Sequence, residues 1–111
     1  MPTDISSNPF PLGLVTPTPG TPAVLTATTP DFTEEYVNAI LLETADHNRG
    51  KCWFGNTSLN KATNAGISHQ FLVPGDVFVL STNVQNMYRL AEFRIDTEIA
   101  GDGVFVSVYV R

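Results

Sequence analysis

Charge is scarce in this 111-residue chain: 15% of its residues are charged, against about 25% in an average soluble domain. Basic residues are fewer than acidic ones, with 6 Lys and Arg against 11 Asp and Glu, and the formal net charge is −5. A protein that binds nucleic acid needs a basic stripe to displace the counterions of the phosphates. We therefore expect no nucleic-acid partner.

Cysteine and long apolar runs are also lacking. The single cysteine, Cys52, excludes an internal disulfide and a cysteine-based zinc site, and it is compatible with synthesis in a reducing cytoplasm. No apolar run approaches the roughly 18 residues of a membrane-spanning helix, so we expect no membrane partner. Residues 1–8 have neither a basic start nor an apolar centre, and they predict no signal peptide.

Proline is concentrated at one end of the chain. Seven of the eight prolines lie in residues 1–30, where Asp4 is the only charged side chain. Proline lacks a backbone donor and fixes φ, which excludes a regular helix or a central strand. We predict an extended N-terminal arm (1–30) and a β domain (31–111), and we favour an arm that contacts other subunits over a poorly ordered tail. The side chains expected to make that contact are Ile5, Phe10, Leu12, Leu14 and Val15.

The remainder of the chain consists of short apolar runs separated by turn signals. In residues 103–111 apolar and other side chains alternate strictly, with Val104, Val106 and Val108 on one face, which predicts a strand. Residues 76–81 follow Pro74-Gly75 and predict a strand that is buried on both faces. Further strands are predicted at 51–55, 66–73 and 88–95. This spacing predicts an all-β fold, an antiparallel β-sandwich for which jelly-roll connections are one possibility.

Residues 31–44 carry a competing pattern. Asp31 can cap a helix, and Val37, Ile40 and Leu41 recur at helical spacing, so periodicity alone predicts a helix there. The family resemblance described next favours a strand for residues 38–46 instead.

From Ala39 onward the chain resembles a diffuse family of small bacteriophage virion β-sandwich proteins of the capsid decoration or cement type. The order and spacing of strand and turn signatures carry the likeness. They are AILLETAD (39–46), Asn48-Arg49-Gly50, KCWFGN (51–56), FLVPGDVFVL (71–80), MYRLAEF (87–93) and AGDGVFVSVYV (100–110). The chain departs from the family pattern at Trp53-Phe54, where smaller β-branched residues are usual, and in a longer loop at 57–66.

The resemblance implies a structural protein without catalytic residues, metal or cofactors. Such a protein would decorate or cement the capsid shell by bridging major capsid subunits, after synthesis in the host cytoplasm. It would be a homo-oligomer, with a trimer favoured over a dimer. A head–tail or tail accessory protein of the virion is the alternative within the same class.

Several residue groups suggest chemistry, but each has a simpler interpretation. Asp46, His47 and His69 could serve a metal or acid–base site, yet surface and loop positions explain them better. Cys52 lies in an apolar run, which is typical of a packed and inert thiol. Residues 48–51 faintly resemble a phosphate loop, but a hairpin turn accounts for them.

Two further residue clusters also have simpler interpretations. Asp96, Glu98 and Asp102 fit no calcium-loop spacing, so solvated carboxylates are the preferred interpretation. The aromatic residues suggest a sugar-binding platform, which makes a carbohydrate-binding module the alternative of another class, although core packing is more frequent. The platform residues would be Trp53, Phe54 and Tyr88.

Overall fold

The computed structural model describes residues 10–26, 36–81 and 88–110, and within them the chain forms ten strands and one short 3-10 helix (Leu90–Glu92). All of the strand pairings are antiparallel. The predicted all-β class and antiparallel sandwich are therefore confirmed. The strands are β1 (Phe10–Val15), β2 (Ala23–Val24), β3 (Tyr36–Val37), β4 (Ala39–Thr44), β5 (Cys52–Asn60), β6 (Ala65–Phe71), β7 (Val77–Ser81), β8 (Tyr88–Arg89), β9 (Phe93–Thr97) and β10 (Val104–Tyr109).

The order of the strands is that of a jelly roll. One four-stranded sheet has the order β1-β10-β4-β7, and the other has the order β2-β9-β5-β6. Strand β1 pairs with β10, β2 with β9, β3 with β8, β4 with β7, and β5 with β6. The chain is thus one long antiparallel hairpin, with its tip at β5–β6, rolled up so that β10 meets β4 and β9 meets β5. This nested arrangement is the jelly-roll connection.

The core lies between the two sheets. The strict alternation along β10 buries Val104, Val106 and Val108, as the sequence pattern predicts. Aromatic rings join the layers, since the ring centroids of Phe54 on β5 and Phe78 on β7 lie 5.8 Å apart. The fully buried side chains of both sheets form one continuous cluster.

The segment with competing helix and strand patterns is a strand where the structure describes it. Residues 39–44 form β4, which lies between β10 and β7, with Ile40 and Leu42 fully buried. Pairing on both sides and burial against the opposite sheet override the local helical spacing. Residues 31–35, which carry the helix-start signals, lie outside the described residues.

Two turns, one of which was predicted to be a hairpin, connect strands of different sheets. Residues 48–50 join β4 of one sheet to β5 of the other, and residues 98–103 join β9 to β10 in the reverse direction. The hairpin interpretation of residues 48–51 is therefore wrong. The predicted loop at 57–66 is largely strand, because β5 extends to Asn60 and β6 begins at Ala65.

The described part of the predicted arm lies within the sandwich. Residues 10–26 supply β1 and β2, with a tight turn at 18–21 between them, so the β domain does not begin at residue 31. Proline is tolerated because β1 is an edge strand, and a bulge between Pro11 and Gly13 (φ 97°) interrupts its pairing with β10. Leu12 and Val15 are fully buried in the domain's own core. The prediction that these two residues contact another subunit is therefore corrected.

Candidate functional site

A buried carboxylate joins the two connections that cross between the sheets. Asp102 is buried, and its Oδ2 accepts hydrogen bonds from the backbone N–H groups of Arg49 at 2.9 Å and Gly50 at 2.8 Å. Asn48 adds a second link, because its Nδ2 donates to the Gly103 carbonyl at 2.8 Å and its Oδ1 accepts from the Gly103 N–H at 2.8 Å. Asn48 and Asp102 thus form a structural clamp rather than part of a phosphate loop.

We expect Asp102→Ala to lower the free energy of unfolding by about 3 kcal/mol, because two partly buried hydrogen bonds to a charged group are lost at roughly 1.5–3 kcal/mol each. Urea denaturation measures this loss. Glu98→Ala is the matched comparison, since Glu98 accepts a single backbone bond, from Lys51 N–H at 3.0 Å, at an exposed position. Equal losses in the two variants would show that Asp102 does not act as a clamp.

Asp96 and Glu98 do not form a cation site with Asp102. Asp96 is buried, and its Oδ1 accepts from Gly20 N–H at 3.0 Å and Thr97 N–H at 2.8 Å. Asp96 and Asp102 are therefore not solvated carboxylates, which corrects that interpretation, whereas Glu98 is exposed. Within the described ranges, no three His, Cys, Asp or Glu side chains come together to hold a metal ion.

The two histidines and the cysteine have separate contacts, and none of the three side chains is hydrogen-bonded to another. His69 lies on β6 among core aromatic rings, stacked on Phe78 with 4.3 Å between ring centroids, so it is not the loop residue that was expected. His47 is exposed, with its Nε2 3.1 Å from the Gly101 carbonyl. Burial raises the pKa of Cys52 to about 11, with further contributions from the charges of Asp102 and Asp96. The thiol therefore stays protonated near neutral pH, as in an inert packed cysteine.

The three aromatic residues of the hypothetical sugar platform do not share a surface. Successive residues of a strand point to opposite faces, so Phe54 is fully buried in the core while Trp53 lies on the outer side of β5. There Lys61 Nζ covers the Trp53 ring, 5.3 Å from its centroid. Tyr88 contacts Phe93 instead, with 6.2 Å between ring centroids. This arrangement corrects the platform prediction.

The outer surface of the β1-β10-β4-β7 sheet is apolar. The outward side chains of β7, Val77 and Val79, are 56% and 51% exposed, and Phe105 of β10 is 48% exposed. The expectation that the β7 segment is buried on both faces is therefore wrong. We call this surface the outer apolar face. Its members are Pro11, Leu14, Leu41, Glu43, Val77, Val79, Phe105 and Ser107.

The strand register places these side chains in two rows. Phe105 lies opposite Leu14 on one side and Glu43 on the other, and Glu43 lies opposite Val77. The second row runs from Pro11 through Ser107 and Leu41 to Val79. Neighbouring strands are about 4.8 Å apart, so each row extends roughly 14 Å across the sheet.

A solvated face of an antiparallel sheet is normally polar, with apolar residues only on the inner side. The outer apolar face breaks that rule, with Glu43 its one charged member. Contiguous exposed apolar patches of this kind are typical of surfaces that bind another protein. The geometry therefore supports protein binding better than chemistry on a small substrate.

Only part of this surface coincides with the residues that the sequence predicts to contact a partner. Leu14, half-buried on the face beside Phe105, was predicted to contact a partner, and Phe10 is 47% exposed at the start of β1. Ile5 lies outside the described residues. The missed positions were Phe105, Val77 and Val79. Phe105 is an apolar residue at an outward position of the alternating strand β10, whereas Val77 and Val79 lie in the unbroken apolar run of β7.

No family model, no curated protein and no solved structure matches the chain. Among residues 10–26, 36–81 and 88–110, no helix has the length and apolar character to cross a membrane.

Proposed function

We propose that the chain is a structural protein of a bacteriophage virion, which decorates or cements the capsid shell by binding major capsid subunits through the outer apolar face. The single observation that carries the protein-binding role is that face, with its half-exposed Val77, Val79 and Phe105. The virion context rests on the resemblance of residues 39–110 to small phage β-sandwich proteins. A jelly-roll architecture supports the same assignment, since capsid proteins are among the proteins that use it.

The energetics of such an interface are favourable. Complete burial of a Val or Phe side chain contributes about 1.5–3 kcal/mol, and the half-exposed residues of the face retain roughly half of that gain for docking. A standard interface buries ~1,600 Å² in total, and the contribution repeats at every equivalent position of a shell. Glu43, opposite Phe105 and Val77, would select a partner with a basic group at its centre.

Binding to particles that were assembled without this protein tests the proposal. We expect the purified chain to cosediment with such particles and the Phe105→Lys variant to bind at least about tenfold more weakly, because apolar burial of order 1.4 kcal/mol is lost. Gln70→Lys is the matched control, since Gln70 is exposed on the outer side of the other sheet and acquires the same charge.

The outcomes of this experiment separate the possibilities. Equal binding by Phe105→Lys and the unmodified chain would place the contact elsewhere, and failure of the unmodified chain to bind would contradict the virion role. Bound copy number distinguishes decoration of the whole shell from a head–tail adaptor, because an adaptor occupies far fewer positions.

A further inference from the structure

Among the described residues, strand β7 is a sheet edge that lacks the usual protection against pairing. Natural proteins protect exposed edges with proline, bulges, charges or very short strands. The edge strand β1 has Pro11 and a bulge, β2 is two residues long, and β6 pairs with β5 through two register shifts. In contrast, β7 runs regularly over five residues, VFVLS, without proline, glycine or charge.

The free side of β7 can be identified from its hydrogen bonds. Thr44 N–H donates to the Asp76 carbonyl at 2.9 Å, so the backbone groups of Asp76 face β4. The direction of the backbone N–H and C=O groups alternates along an antiparallel strand. The backbone groups of Phe78 therefore also point toward β4, whereas those of Val77 and Val79 point away from the sheet. Among the described residues, no strand pairs with that side of β7.

We propose that β7 pairs antiparallel with β7 of a second copy of this chain, around a two-fold axis at Val79. Val79 then lies opposite its counterpart, and Val77 lies opposite Ser81 of the other copy, with hydrogen bonds exchanged at each pair. The Ser81 carbonyl, which accepts from Tyr88 Oη at 2.8 Å, has a second lone pair available.

Strand β7 of a second copy matches this edge in length, and it brings no charged side chain to the pairing. Each chain carries a net charge of −5, yet no charged side chains oppose each other along Val77–Ser81. Because Val77 and Val79 also belong to the outer apolar face, pairing joins the two faces into one surface on an eight-stranded sheet. This self-pairing is independent of the proposed virion role.

The symmetry of this pairing fixes the size of the assembly. An interface in which the same strand meets itself is isologous and closes at two subunits. The structure therefore favours a dimer, whereas the resemblance favours a trimer.

The molar mass of the full-length chain, measured by light scattering across a dilution series, tests the proposal. We expect a dimer for the unmodified chain and a monomer with unchanged cooperative melting for Val79→Lys, which would place two ammonium groups side by side at the axis. The Phe105→Lys control should remain dimeric, because Phe105 lies two strands away from the edge.

Cysteine cross-linking tests the register. Paired residues at the axis have Cα atoms about 5.5 Å apart, within the range of a disulfide, so V79C should form a covalent dimer on mild oxidation. V77C alone should not, whereas V77C combined with S81C should. Cys52 is buried and does not compete. A monomeric or trimeric unmodified chain, a dimeric V79K protein, or equal cross-linking of V77C and V79C would overturn the proposal.

Discussion

Val106→Asp is expected to unfold the domain. Val106 lies fully buried in the middle of β10, between β1 and β4, where it faces the opposite sheet. A buried and unpaired carboxylate costs several kcal/mol, which is comparable with the ~5–15 kcal/mol total stability of a small domain. Circular dichroism should show loss of the cooperative thermal transition.

Phe105→Asp is the matched control for this variant. The same charge is introduced one residue away, but the side chain points to the outer apolar face and is already half exposed. This variant should fold and melt cooperatively. A Val106→Asp protein with an unchanged melting midpoint would show that β10 does not direct Val106 into the core.

The alternation that underlies this prediction was readable from the sequence, because a half-buried strand imposes a period of two on its own residues. Strand β10 therefore appears at nearly the predicted position, residues 104–109 against 103–111. Periodicity alone does not assign residues 39–44 to a strand. Their local spacing favours a helix, and only the pairing partners β10 and β7, remote in sequence, make them a strand.

Connections between the two sheets could not be predicted from the local sequence of the turns. A turn signal such as Asn48-Arg49-Gly50 indicates a change of chain direction, but it does not specify whether the next strand pairs with the previous one or joins the opposite sheet. The roles of Asn48 and Asp102 depend on that choice, because the hydrogen bonds between the two connections join residues more than 50 positions apart in sequence. Because the spacing of Asp96, Glu98 and Asp102 matches no calcium loop, the sequence favours a solvated carboxylate at Asp102.

The outer apolar face could be predicted only in part from the sequence. An apolar run such as VFVLS is compatible with burial on both sides or with an exposed face, and only the position of β7 at a sheet edge decides between them. Leu14 joins Phe105 across two strands that are separated by most of the chain. Among the described residues that were predicted to contact another subunit, Leu14 alone is a member of the outer apolar face.

Deletion of residues 2–20 is expected to unfold or severely destabilise the protein, although the sequence alone predicts an arm that can be removed. The deletion eliminates β1, and with it the buried side chains of Leu12 and Val15 at about 1.5–3 kcal/mol each. It leaves Asp96 without the Gly20 N–H that satisfies its buried carboxylate. Together these losses approach the ~5–15 kcal/mol total stability of a small domain.

Deletion of residues 2–9 provides the comparison, because it leaves every described strand in place. We expect this shorter deletion to retain a cooperative thermal transition and the longer one to lose it, as measured by circular dichroism. Loss of particle binding by the longer deletion would then reflect unfolding rather than removal of a docking element. A folded protein lacking residues 2–20, with an unchanged melting midpoint, would instead restore the interpretation of β1 as an arm, since its apolar residues would then contribute nothing to the core.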